Sequence, residues 1–207
     1  MSKHSFHLQN SKFQVWTNTC CSHPLHGMEP SEVDVSIDAE GSVRGVKHAA
    51  IRKLNHELGI PPMQLNVDKF KFLTRLHYWA ADTVTHGPKA PWGEHEIDYV
   101  LIYCIQNKKE LTLHIHPDEV DAIEWVTLEQ LEMQMADPNL LFSPWFRLIL
   151  QKWLKPYWWN NLKETMETNK YCDYETIHRF DPPKEHLGGA GNAGPLFPDT
   201  ITVGDVK

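Results

Sequence analysis

Residues 97–105, Ile97-Asp98-Tyr99-Val100-Leu101-Ile102-Tyr103-Cys104-Ile105, are apolar on both alternating faces, the pattern of a strand in the centre of a sheet. Upstream, Phe70-Lys-Phe-Leu-Thr-Arg-Leu-His-Tyr-Trp-Ala80 sets Phe70, Phe72, Leu76 and Tyr78 on one alternating face, which predicts a second strand. Between Lys47 and Leu58 the period changes: Ala50, Ile51, Leu54 and Leu58 recur at helical spacing, and Gly59 follows as a C-terminal cap. Downstream, Ile123–Val126 reads as a short strand, and Thr127-x-x-Gln130 is a capping box opening the helix LEQLEMQM. Ser143-Pro144 then opens a helix along which Phe146, Ile149, Leu150, Trp153 and Leu154 share a face, and Pro156 is expected to end or kink it. Strands alternating with helices predict the α/β class, an α+β sandwich of one mixed sheet between helices.

The chain has 207 residues, of which 41% are hydrophobic and 23% charged, so it has the composition of a folded domain. Its net charge of -7 argues against a nucleic-acid-binding surface, because neutralising phosphates requires clustered Lys and Arg. An anionic substrate must therefore be held by local charges or by a metal. No apolar run reaches the length of a membrane span and the start lacks a signal-peptide core, so the protein is expected to be cytoplasmic. Four cysteines, two of them adjacent, read as reduced thiols. Residues 1–14 are polar and predict an irregular segment, residues 15–181 the folded domain, and the Gly/Pro-rich residues 182–207 a flexible tail.

Three constellations could carry chemistry. In Trp92-Gly-Glu-His-Glu-Ile-Asp98, alternation puts Glu94 and Glu96 on the same face. Two like charges that close call for a divalent metal or a carboxyl with a raised pKa; the alternative is an exposed acidic strand end. In Trp16-Thr-Asn-Thr-Cys-Cys-Ser-His-Pro24, an extended backbone gives Cys21 and His23 a common face, where the imidazole can ligate a metal or lower the thiol pKa. The alternative is a buried structural cysteine beside a turn histidine. Arg52-Lys-Leu-Asn-His-Glu-Leu-Gly-Ile60 retains Arg52, Glu57 and Gly59 of the Nudix helix pattern RExxEExG. Lys53 and His56 stand where that pattern has acidic residues, which should reduce metal binding, and an ordinary helix with a Lys53–Glu57 pair is the competing reading. His114 and His116 read as solvated loop residues, and the cluster Trp145, Trp153, Trp158 and Trp159 as mostly core, with the alternative that one of these rings faces a pocket and stabilises a cation.

Taken in order, WTNTCCSHPL, AAIRKLNHELGIP, FLTRLHYWA, PWGEHEIDYVL, HPDEV and SPWFRLIL resemble type I isopentenyl-diphosphate delta-isomerase over roughly residues 15–160. That resemblance implies a Nudix-like fold and the interconversion of isopentenyl and dimethylallyl diphosphate in isoprenoid biosynthesis. By position it implies Cys21 and Glu96 as the catalytic acid/base pair, Tyr78 as an active-site tyrosine, and Trp145 as the ring facing a carbocation-like intermediate. It further implies His23, Glu94 and Glu96 as ligands of a tightly bound divalent ion (Mg2+, Mn2+ or Zn2+). Glu57 with the main chain of Cys21 would hold a Mg2+ bridging to the diphosphate, which Ser22 would also contact. The implied partner is a small isoprenoid diphosphate; oligomeric state is not implied.

The family's further metal-ligand histidines and diphosphate clamp come from strands before the WTNTCC segment, and only 15 residues precede Trp16. The resemblance therefore implies a chain truncated at its amino terminus. Two other readings follow: a catalytically impaired paralogue acting as a binding protein, or a Nudix-type diphosphate hydrolase.

Overall fold

Helix α1, Arg44–Leu58, is where the architecture starts, three residues earlier than the periodicity of Lys47–Leu58 alone places it. Its first turn has no acidic residue and its N-cap Val43 offers no side-chain acceptor. Asp34 supplies both acceptors instead, taking hydrogen bonds from the amides of Gly45 at 2.7 Å and Val46 at 2.9 Å. Two of the free N–H groups that any helix start leaves are thereby satisfied by a carboxylate near the positive end of the dipole. The other end closes as expected: Gly59 is left-handed (φ 63°), its N–H reaches Asn55 O at 2.9 Å, and that of Ile60 reaches Leu54 O at 3.4 Å.

The computed structural model describes residues 5–10, 15–34, 42–81, 93–180 and 201–202. The chain divides into two units, Met1–Phe72 with Leu101–Phe142, and Leu73–Val100 with Ser143–Lys207.

In the first unit, β1 (Ser5–Asn10) lies between β2 (Trp16–Thr17) and β5 (Val120–Val126). This corrects the irregular segment expected over 1–14: Ser5–Asn10 pairs antiparallel with β5 from Ser5↔Val126 to Asn10↔Val120, with a register shift after Gln9. The alternation of Phe6 and Leu8 with polar residues is short, but β5 offers an edge whose backbone groups need partners. Helix α2, Leu128–Ala136, opens with the expected capping box, Thr127 and Gln130 each bonding the other's backbone. The core gathers Leu54, Leu58, Ile60, Leu65, Phe70 and Val120, with Cys20, Leu101, Tyr103 and Trp125 packed against it.

A mixed four-stranded sheet, all but the start of β3 and the end of β4 in the second unit, has the order β4 (Gly93–Tyr103), β3 (Phe70–Ala81), β6 (Thr176–Phe180), β7 (Ile201–Thr202). Strand β6 runs parallel to β3, from Arg75↔Ile177 to Tyr78↔Phe180, and antiparallel to β7. Two sheets thus replace the single expected one among the described residues, and the class is α/β. Strand β4 borders only β3, so the run 97–105 is not central among the described strands. Its apolar residues are used by packing: Val100 joins the Leu76 cluster, Leu101 and Tyr103 join the Leu58 cluster, and Ile97 stays 49% exposed. Of the expected tail, Ile201–Thr202 forms β7 and the remainder lies outside the described residues.

Helix α3, Pro144–Ile149, passes directly into π-helical turns over Leu150–Trp159, and Pro156 lies within them rather than ending the helix. In α register a proline ring collides with the carbonyl four residues back; the wider turn moves that carbonyl away. Trp158, 2% exposed, donates its indole N–H to Tyr171 O at 3.0 Å, and Leu76 packs with Val100, Trp145, Leu148, Ile149 and Trp153. Helix α4, Leu162–Glu167, follows.

Candidate functional site

The segment Asn18–Leu25 is held against α1 by one guanidinium. Arg52 grips Glu32 with two bonds, Nε to Oε1 at 2.6 Å and Nη2 to Oε2 at 3.0 Å. The same Nη2 donates to His23 O at 3.0 Å and reaches Ser22 Oγ at 3.5 Å, while Ser22 Oγ donates to Ala49 O at 3.4 Å. Glu32, only 3% exposed, also accepts the amide of Leu25 at 2.9 Å. The hydrogen bonds from Arg52 hold its carboxyl below the usual carboxylate value. Gly45 lets α1 approach this closely, since a Cβ there would lie 2.6 Å from the Glu32 carbonyl carbon.

The two adjacent cysteines have opposite environments. Cys21 is exposed, with the Asn18 side-chain amide donating to its sulfur at 3.3 Å and the Asn18 carbonyl oxygen 3.6 Å away as an acceptor. An amide that can donate to thiolate and accept from thiol accommodates both protonation states. Cys20 faces inward; burial, then the charge of Glu57, pushes its thiol well above the usual value. Glu57 is itself buried and raised by that burial, which Lys53 Nζ opposes from 3.0 Å. His23 keeps its ring exposed.

In the second unit, Glu96 is half-buried on β4 and shares a face of that strand with Val100. Val100 and Trp145, the second residue of α3, both pack on Leu76. Tyr78 and Glu94 lie on β3 and β4, and their side chains fall outside the described residues. The expected residues are thus distributed: Cys21, Ser22, His23 and Glu57 belong to the first unit, Tyr78, Glu94, Glu96 and Trp145 to the second. Among the described residues no three His, Cys, Asp or Glu side chains converge as a metal-binding group. A pocket of about 400 Å³ in the second unit, lined by Thr74, Trp153, Trp158, Tyr171 and His178 among others, includes none of the expected site residues.

Sequence reasoning missed Asn18 and Glu32. The first lies three residues before Cys21 and was legible as an amide beside a thiol; the second pairs with Arg52 across 20 positions, which no local pattern reveals.

The NUDIX domain pattern matches residues 40–146. The chain is also similar to isopentenyl-diphosphate delta-isomerases, at 45% identity over 170 residues in Gibberella zeae, 45% over 169 in Schizosaccharomyces pombe and 40% over 169 in Bos taurus. Each alignment covers 80% of this chain and 59%, 64% and 65% of the relative, respectively. The chain therefore spans less than two thirds of the length of these curated relatives. With α1 carrying Arg52, Glu57 and the left-handed Gly59 inside a matched region that fills half of its length, the chain belongs to the NUDIX domain family.

Proposed function

We propose that this chain belongs to an isopentenyl-diphosphate delta-isomerase, interconverting isopentenyl and dimethylallyl diphosphate in isoprenoid biosynthesis. The observation that carries the reading is the 40–45% identity to proteins of that name over 80% of the chain. The environment of Cys21 supports it.

The reaction moves a double bond by one carbon. A proton adds to the terminal CH2, the π pair becomes the new C–H bond, and a tertiary cation is left. Loss of a proton from the other neighbouring carbon returns its C–H pair as the new π bond, so atoms and charge balance. Such chemistry requires two proton-handling groups, exclusion of water and a π face for the cation. Cys21, exposed and flanked by the Asn18 amide, suits one proton-handling role, and Cys20, buried beside Glu57, does not. Glu96 suits the other, half-buried on the strand face it shares with Val100, and Trp145, which packs on Leu76 as Val100 does, is assigned to present the π face. Tyr78 is assigned to hold the proton of Glu96 or Cys21 in place by hydrogen bonding, and Ser22 to bind the diphosphate.

A divalent ion is implied by this family, and the donor chemistry fits one. Glu57 is a buried carboxylate already partnered by a cation, the Lys53 ammonium at 3.0 Å. Glu96, Glu94 and His23 add oxygen and nitrogen donors of the type such ions take. When bound, a Mg2+ held by Glu57 and the main chain of Cys21 would supply positive charge to the diphosphate, and a second divalent ion, Mg2+, Mn2+ or Zn2+, held by His23, Glu94 and Glu96 would tune the acidity of Glu96. We assign the chain to the cytoplasm.

The test is conversion of labelled isopentenyl diphosphate to acid-labile dimethylallyl diphosphate with Mg2+. Product should form with the native chain and with Cys104→Ser, and fall by at least ~10³-fold with Cys21→Ala, the loss of a group acting on the reacting carbon. Equal turnover in Cys21→Ala would remove Cys21 from the mechanism, and release of inorganic phosphate or pyrophosphate would favour a hydrolase.

A further inference from the structure

On the face of the second unit's sheet away from Leu76, two histidines of neighbouring strands meet. His77 of β3 follows buried Leu76, and His95 of β4 precedes Glu96, so strand alternation turns both away from the Leu76, Val100 and Glu96 face. Their Nε2 atoms are 2.7 Å apart, while the ring centroids are 4.8 Å apart and the planes 14° from parallel. The rings therefore lean together at their nitrogen edges. The pair is solvent-accessible.

We propose that His77 and His95 form a cross-strand bis-imidazole clamp for a nitrogen-seeking divalent cation, Cu2+, Ni2+ or Zn2+, with water completing its shell. Two neutral imidazoles whose Nε2 atoms face each other share one position, which must hold either a proton donated by one ring or an ion bound by both. With metal–nitrogen distances near 2.0–2.1 Å, two imidazoles on one ion stand ~2.9–3.4 Å apart, so opening the observed gap by a few tenths of an ångström suffices. Rotation about the side-chain torsions supplies that movement without disturbing the strands. Arg179, in register with His77 on β6, adds a positive charge nearby. That charge disfavours a weakly held hard ion such as Mg2+ and leaves the ions that bind imidazole strongly, in the order Cu2+ above Ni2+ and Zn2+. The clamp is separate from the Glu94/Glu96 set, because His95 and Glu96 are consecutive residues of an extended strand and project to opposite faces.

The experiment is a Cu2+ titration of the full chain, read by calorimetry and by electron paramagnetic resonance, on the native protein, His77→Asn, His95→Asn and Glu96→Gln. The native chain should bind Cu2+ with a spectrum split by two equivalent nitrogens. Each histidine substitution should abolish that splitting and weaken the site ~100-fold, since loss of one arm turns a chelate into a single contact. Glu96→Gln should keep it. Unchanged affinity and splitting in His77→Asn or His95→Asn would overturn the proposal. Should a substitution prevent folding, 15N spectra of the native chain decide: Zn2+ must shift the ring nitrogens of both residues together, and rings left unmoved at saturating Zn2+ would overturn it equally.

Discussion

Arg52 does more for the candidate site than any residue that chemistry would single out. Its Nε bonds Glu32 and its Nη2 is shared among Glu32, His23 O and Ser22 Oγ, so the segment bearing Cys21 is fixed to α1 through one planar group. Arg52→Ala leaves a carboxylate that is 3% exposed without its cation, a loss expected to cost about 3 kcal/mol at pH 7. The pH dependence has a definite sign. Glu32 titrates below its ordinary value of 4.5 in the folded chain, so the stability it contributes is full above that value and is lost as pH falls through the lower folded one. The gap between native and Arg52→Ala should accordingly close on acidification, as measured by urea unfolding from pH 7 to pH 3. A gap that stays constant would mean that the pair contributes nothing through charge. Glu57, raised by burial, acts in the opposite sense: its contribution is present below 4.5 and lost as pH rises through its folded value.

At the scale of elements, what the sequence made legible was whatever is decided within a few residues. The Thr127/Gln130 capping box and the Gly59 cap are local hydrogen-bond patterns, and both form as expected. What depends on partners far along the chain stayed hidden. Strand β1 is recruited by the edge of β5, more than a hundred residues away, α1 is capped by Asp34, and β4 is packed on both faces without being central. The same holds at the site: Cys21 and Glu96 were legible as motifs, whereas the burial that sets Cys20 apart from Cys21 required the fold. Two substitutions separate local from tertiary contributions. Thr127→Ala should cost about 1 kcal/mol, the usual worth of an N-cap. Gly59→Ala should cost more, over ~1 kcal/mol for the left-handed backbone alone, because the added methyl also meets the His114 carbonyl, whose own N–H bonds Leu58 O at 2.8 Å. Denaturant midpoints give both values, and a Gly59→Ala no worse than Thr127→Ala would show that the His114 segment yields freely.

For the whole molecule the governing quantity is charge. A chain of net -7 repels a polyanionic diphosphate at long range, so capture must come from cations placed locally. Arg52 is already committed to Glu32, and Lys53 to Glu57 and Glu119, which limits what these side chains can offer a diphosphate. A divalent ion is the source of positive charge that the proposed activity would draw on. Exhaustive chelation should abolish conversion of isopentenyl diphosphate, and added Mg2+ should restore it, with KM falling as free Mg2+ rises until the site saturates. Added monovalent salt should not substitute, since it screens the long-range repulsion without placing a charge at the diphosphate. Turnover that survives chelation at unchanged KM would mean that the chain's own basic groups hold the substrate, and it would remove the metal from the proposed mechanism while leaving the roles of Cys21 and Glu96 standing.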